Sequence, residues 1–209
     1  MRVAFVMAAL CVLVSAQPAV AQDWTEYENR VDHFTVPAPG EPTVDTIVWD
    51  SEYGATFPGR VYTWTQRRTR YSVTVVDYSD AERIHSELNH VAYQGGPGYW
   101  TIDIMASIDY AATRYRQKPG VTVTYDAWHY TERVTGHELQ LTNPDESHSY
   151  VGIYLHENRL YIIDATAASN DVPPIIFQQS FGFLDADGKP VQYRSFYFNR
   201  LPAARLGQP

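Results

Sequence analysis

Between Arg60 and Ala165 the apolar period of the chain changes twice, and few architectures accommodate both changes. In Arg60–Gln66, Val61, Thr63 and Thr65 alternate with Tyr62 and Trp64. In Tyr71–Tyr78, Tyr71, Val73 and Val75 alternate with Ser72, Thr74 and Val76. Both segments are rich in β-branched and aromatic residues, and the polar run Arg67–Arg70 connects them, which is the pattern of a β-hairpin. From Ala81 the apolar positions become Ala81, Ile84, Leu88 and Val91, one face of a helix, and Ile104, Met105, Ile108, Ala111, Ala112 and Tyr115 form a second such face. Strand composition then returns in Val121–Thr131, Val134–Leu141, Ser149–Leu155 and Arg159–Ala165. The order predicts an α+β protein: an antiparallel β-sheet of about six or more strands, flanked by two main helices and a short third one.

Local signals set the expected boundaries. Ser79-Asp80-Ala81-Glu82 reads as a capping box opening a helix over Asp80–Tyr93, and Gln94–Gly98 closes it. The second helix is expected over Ile102–Arg116, before Pro119-Gly120, and the third within Pro173–Phe183. Upstream, Thr43–Trp49 reads as a strand after the proline-rich turn Val36–Pro42. Turns are expected at Asn143–Glu146, Glu157-Asn158 and Asp185–Gly188, with Asn158 in the left-handed region. Val191–Phe198 is a candidate terminal strand, and 201–209 a tail without periodicity.

The N-terminus carries a different signal. Arg2 precedes the apolar run Val3–Ser15, and Ala19-Val20-Ala21 has the small-residue spacing of a cleavage site. This is the three-part pattern of a secretory signal peptide over 1–21, and the run is too short for a permanent membrane span. The expectation is an exported protein, periplasmic or secreted, with one α+β domain over 22–200. The single cysteine, Cys11, lies in the expected leader, so a thiol nucleophile and a disulfide are both excluded from the mature chain. The formal net charge of −8 argues against nucleic acid or an anionic membrane surface as partner.

Several segments carry a resemblance. Trp24 to Tyr27, Phe34-Thr35-Val36, the turn Pro39-Gly40-Glu41-Pro42 and the strand end Val75-Val76-Asp77-Tyr78 belong to it. So do Tyr150–Leu155 followed by Arg159-Leu160-Tyr161, and Phe177-Gln178-Gln179-Ser180-Phe181. Over most of 23–183 the chain resembles the PsbP-like α/β/α sandwich, and more closely small secreted bacterial members of that superfamily. The chain departs from the pattern at Asp32-His33, where a glycine is usual before the Phe34 strand. The resemblance implies a fold; members of one fold share no common chemistry.

Chemistry-bearing residues are sparse. His129 and His137 are placed to meet across a hairpin, with Asp126 or Glu138 nearby, as a two-histidine, one-carboxylate metal site. His85 and His90 diverge on the first helix, and Asp103 and Asp109 are too far round the second to act as a pair. Gln94–Gly98 lacks the ending of a phosphate-binding loop, and Asp185–Gly188 lacks the final glutamate of a calcium loop. Ser180 is not in a nucleophile elbow. No cofactor is expected.

Two segments suit a contact surface. The Gly-rich turn sets open backbone beside Tyr93, Tyr99 and Trp100, and the hairpin tip groups Arg67, Arg68 and Arg70. The competing reading is a solvated loop with its rings turned inward and a solvated basic tip. Of the five tryptophans, most are expected in the core or at its rim. The functional expectation is a non-catalytic envelope module that binds a small ligand or another envelope protein. The alternative is a metal-dependent hydrolase built on His129 and His137.

Overall fold

A computed structural model describes residues 24–88, 98–199 and 205. The expected leader over 1–21, Tyr93 and all but Arg205 of the expected tail lie outside these residues. The strands are β1 (Thr25–Asn29), β2 (Phe34–Ala38), β3 (Thr43–Asp50), β4 (Thr56–Gln66) and β5 (Thr69–Asp77). Then come the helices α1 (Ala81–Glu87) and α2 (Tyr99–Arg116). After them run β6 (Thr122–Thr131), β7 (Val134–Thr142), β8 (His148–His156) and β9 (Arg159–Ala167), followed by α3 (Ile175–Gln179) and β10 (Gly182–Phe183).

The main sheet has seven antiparallel strands in the order β3-β4-β5-β9-β8-β7-β6. It is two meanders joined by the β5–β9 pairing, in which Arg70 faces Thr166 and Asp77 faces Arg159. The alternation in Tyr71–Asp77 divides its side chains between two cores. Val73 and Val75 point to one side with Tyr62, Trp64, Tyr161 and Phe177. Val76 points to the other with Phe57, Ile104, Ile108, Leu139 and Ile162. The first core lies under α3 and a separate three-stranded sheet, β1-β2-β10, and the second lies under α1 and α2. The central strands are covered on both faces, so β9 reads as an almost continuous apolar run. The α+β expectation therefore holds, with β1, β2 and β10 forming a second small sheet that periodicity did not separate from the first.

Several local expectations are corrected. The capping box does not form. Asp80 is the N-cap of α1 without a side-chain cap bond, and the Ser79 N–H donates instead to Asp77 Oδ1 at 2.9 Å, where β5 ends. The basic connection Arg67–Arg70 shrinks to a two-residue turn, because Thr69 is buried and pairs with Gln66, while Arg67 takes a φ of 57°. Glu157 and Asn158, at φ 47° and 58°, form the tight turn expected of them. The helix expected within Pro173–Phe183 is limited to five residues. Val191–Phe198 is no strand. It makes isolated bridges, such as Val134 with Tyr197, while Val191, Tyr193 and Tyr197 plug the first core. Of the tryptophans, only Trp49 and Trp64 are buried; Trp100 is partly buried, Trp24 lies at the rim and Trp128 is 55% exposed on the edge strand β6.

A buried polar tie fixes the helices. Ser51, after β3, donates its hydroxyl to Asp103 Oδ2 at 2.5 Å, and His85 Nε2 lies 2.9 Å from the same oxygen. All three are nearly inaccessible, so the tie links a loop, α1 and α2 through one carboxylate.

Candidate ligand cleft at one end of the sheet

The sheet end that carries the β4–β5 and β7–β8 turns opens into a polar cleft of about 410 Å3 on its α2 face. Register decides which side chains enter. Arg70 on β5 faces Thr166 on β9, and Ser149 on β8 faces the same threonine from the other side. Asp164 is two positions along β9, so it lies on the same face. Lys118, just beyond α2, closes the cleft; its ammonium sits 3.8 Å from the centre of the Tyr115 ring.

The floor is a connected set of neutral donors. Tyr115 donates its hydroxyl to Asp164 Oδ2 at 2.9 Å, and Thr166 donates to Oδ1 at 3.0 Å. The Ser149 and Thr166 hydroxyls are 2.6 Å apart, and Asn143 donates its amide to Ser149 at 3.0 Å. Burial and the adjacent Asp164 charge hold the Tyr115 phenol well above its ordinary range, so it remains a donor. Asp164 is thus satisfied by hydroxyls rather than by a cation. Arg70 and Lys118 make no ion pair among the described residues, although Arg68 pairs with Asp171 at 3.0 Å. Burial, then the nearby Arg70 and Arg114, lower the Lys118 ammonium from its usual value, with Asp164 opposing the shift. Chemically, the cleft offers Arg70 and Lys118, neither in an ion pair among the described residues, above hydroxyl and amide groups, with the Asp145 and Asp164 carboxylates also in its lining. It has no imidazole to take a proton from Ser149.

The opposite face of the same sheet end has a second cleft of about 390 Å3, lined by Thr142, His148, Tyr150, Pro173 and Pro174. Ala167 and Ala168 form the ridge between the two.

The sequence candidates are distributed differently from what their spacing suggests. His129 and His137 do approach across the β6–β7 hairpin, but Gly136 is opposite His129 and Trp128 is opposite His137. Adjacent register positions point to opposite faces, so the joint metal site is not assembled. His129 Nδ1 lies 3.1 Å from the Tyr154 hydroxyl and 3.2 Å from Glu138 Oε1 on one face. His137 meets Asp126 and Arg116 on the other. The Arg116 guanidinium, bonded to Asp126 at 2.7 and 3.0 Å, holds that carboxyl down at about 2. Among the described residues no group of three or more His, Cys, Asp or Glu could hold a metal ion.

The two proposed contact segments lie at opposite ends of the sheet. Arg67, Arg68 and Arg70 are at the cleft end. Trp100 is at the Asp77–Arg159 end, where it lines a smaller cavity of about 240 Å3 with Ile104, Asn158 and Asn199. Tyr99 sets its ring 6.3 Å from Tyr53, and Trp100 packs against the helix-side core, which favours the inward reading of these rings. Along β5 the separation of the two ends is about 23 Å. Lys118, Tyr115, Asp164, Ser149, Thr166 and Asn143 were missed by the sequence reading. No motif links them, and only strand parity in the correct sheet order gathers them.

Among solved structures the chain is similar to the solution structure of cyanobacterial PsbP (CyanoP) from Synechocystis sp. PCC 6803. The match has a TM-score of 0.45 and 11% sequence identity, and covers 82% of this chain and 98% of that one. No family model and no curated protein matches the chain. No helix among the described residues is long and apolar enough to cross a membrane.

Proposed function

We propose that the protein is an exported, non-catalytic binding module that holds a small, hydroxyl-bearing anion in the cleft between Arg70 and Lys118. The observation that carries this reading is the pair of cations without ion-pair partners above a hydroxyl floor, in a chain whose net charge is −8. An acidic protein repels anions at long range, so the Arg70–Lys118 pair selects for a compact ligand that reaches close contact. Arginine supplies planar two-point recognition of a carboxylate or phosphate, and lysine a point charge. The N-terminal pattern supports export, and an N-terminus at or near Gln22 by intact-mass measurement is the expected result.

Inorganic phosphate is the simplest probe. Binding to the folded state alone adds about 2.7 kcal/mol at a hundred times the dissociation constant, enough to move a melting temperature by several degrees. A saturable rise is expected in phosphate but not in chloride at equal ionic strength, and it should vanish in the Arg70→Ala, Lys118→Ala double variant. No rise, or an equal rise in the double variant, overturns the reading.

A further inference from the structure

We infer that two copies of the chain pair through the outer edge of β6, antiparallel across a two-fold axis at Trp128, extending the seven-stranded sheet into a second copy. β6 ends the sheet, and no backbone group among the described residues bonds to its outer side. The two-residue turn Glu132-Arg133, at φ 50° and 65°, closes on Thr131 and Val134. A turn of this kind directs the Thr131 backbone toward β7. By alternation, Asp126, Trp128 and Tyr130 present their backbone N–H and C=O groups outward.

Charge distinguishes this edge from the other one. β3 carries Asp45 and Asp50, neither in an ion pair among the described residues, so pairing β3 with its own copy sets bare carboxylates together in an already acidic protein. Such charges are a usual protection of edge strands. β6, TVTYDAWHYT, has no proline or lysine, and its one carboxylate, Asp126, is neutralised by Arg116. Two copies can meet there provided the register keeps their ion-paired Asp126 carboxylates apart. The side chains that border the edge are also large and about half exposed: Trp128, which packs on His137, is 55%, Tyr130, which packs on Phe196, 49% and Tyr125 43% exposed.

Charge and the central tryptophan select the register. A continuous sheet with both α2 layers on one side needs the two-fold perpendicular to the sheet, passing through a residue position. Centring it on Ala127 brings the two Asp126 carboxylates within two positions of each other. Centring it on Trp128 sets them four positions, or about 13 Å, apart, which is beyond the screening length at physiological salt. Trp128 then faces its own copy, Asp126 faces Tyr130 of the second copy, and Ala127 faces His129 of the second copy. Cross-strand aromatic pairs stabilise a sheet, and a central tryptophan is the typical anchor of an interface.

Sedimentation equilibrium on the mature protein tests this. A concentration-dependent doubling of mass is expected. Trp128→Lys should abolish it with the far-ultraviolet spectrum unchanged and the melting temperature no longer dependent on protein concentration, while Val48→Lys on β3 leaves it intact. A mixture of mature Ala127→Cys and His129→Cys chains should oxidise to a crosslinked heterodimer, and neither chain alone should crosslink. Facing residues in a non-hydrogen-bonded pair are about 4.5 Å apart at Cα, within disulfide reach. A mass that stays monomeric at every concentration, a dimer that survives Trp128→Lys, or homodimeric crosslinking of Ala127→Cys would each overturn the inference.

Discussion

His33 has a φ of 55°, a left-handed conformation that a residue with a Cβ adopts at a cost of roughly 1–2 kcal/mol. The neighbouring Asp32 explains its setting. Asp32 is buried and bonded to the Arg60 guanidinium at 2.7 Å and to the Tyr62 hydroxyl at 2.5 Å, while its carbonyl accepts from Tyr161 at 2.9 Å. The turn that delivers Asp32 into this site requires the left-handed residue after it. His33→Gly is therefore expected to raise stability by up to about 1 kcal/mol in chemical denaturation, the relief of backbone strain being offset by extra freedom in the unfolded chain. Gly136 makes the opposite case. A Cβ there would lie 2.1 Å from the Tyr154 ring and 2.4 Å from the Ile153 carbonyl, so the ring that reaches His129 can cross β7 only over a glycine. Gly136→Ala should cost about 1–3 kcal/mol in the same measurement and displace the tyrosine hydroxyl from His129.

The elements were legible wherever one period persists. Tyr71–Tyr78 and Arg159–Ala165 are long and alternating or apolar throughout, and they became β5 and β9 with shifts of a few residues at their ends. What could not be read was contact between elements. His85 and Asp103 were weighed separately, each on its own helix, and the tie they form with Ser51 exists only because α1 and α2 pack side by side. The same holds for the cleft, where Lys118 and Asp164 are unremarkable in their own segments. The opposed histidines of the β6–β7 hairpin show a further cause: spacing predicts proximity, whereas register decides the face. Asp103→Ala strips Ser51 and His85 of a shared buried acceptor, at a cost of about 1–3 kcal/mol. Hydrogen exchange should then rise in α1 before it rises in β5 or β9, because the tie reaches α1 directly while β5 and β9 lie in the middle of the sheet.

At the scale of the whole molecule, acid is the informative perturbation. His156 is fully buried, with Nε2 2.7 Å from the Tyr193 hydroxyl. Burial, reinforced by Arg205, His33 and Arg159, pushes its imidazole down to about 3. The unfolded chain takes up that proton near 6.5 and the folded chain does not, so stability is complete above pH 6.5 and declines as pH falls toward 3. The slope from this one group reaches about 1.4 kcal/mol per pH unit. Urea unfolding between pH 7 and pH 5.5, above the carboxylate range, should show the decline, and His156→Gln should flatten it. The sheet order has a consequence for how the molecule comes to exist at all. Each meander is made of neighbours in sequence, but β5 and β9 are about eighty positions apart where Asp77 meets Arg159. Local hairpins close in microseconds, so the zippering of two half-sheets along that single seam is expected to limit the rate of folding. Destabilising substitutions along the seam, such as Val73→Ala or Ile163→Ala, should slow refolding, whereas those in the outer hairpins should mainly hasten unfolding.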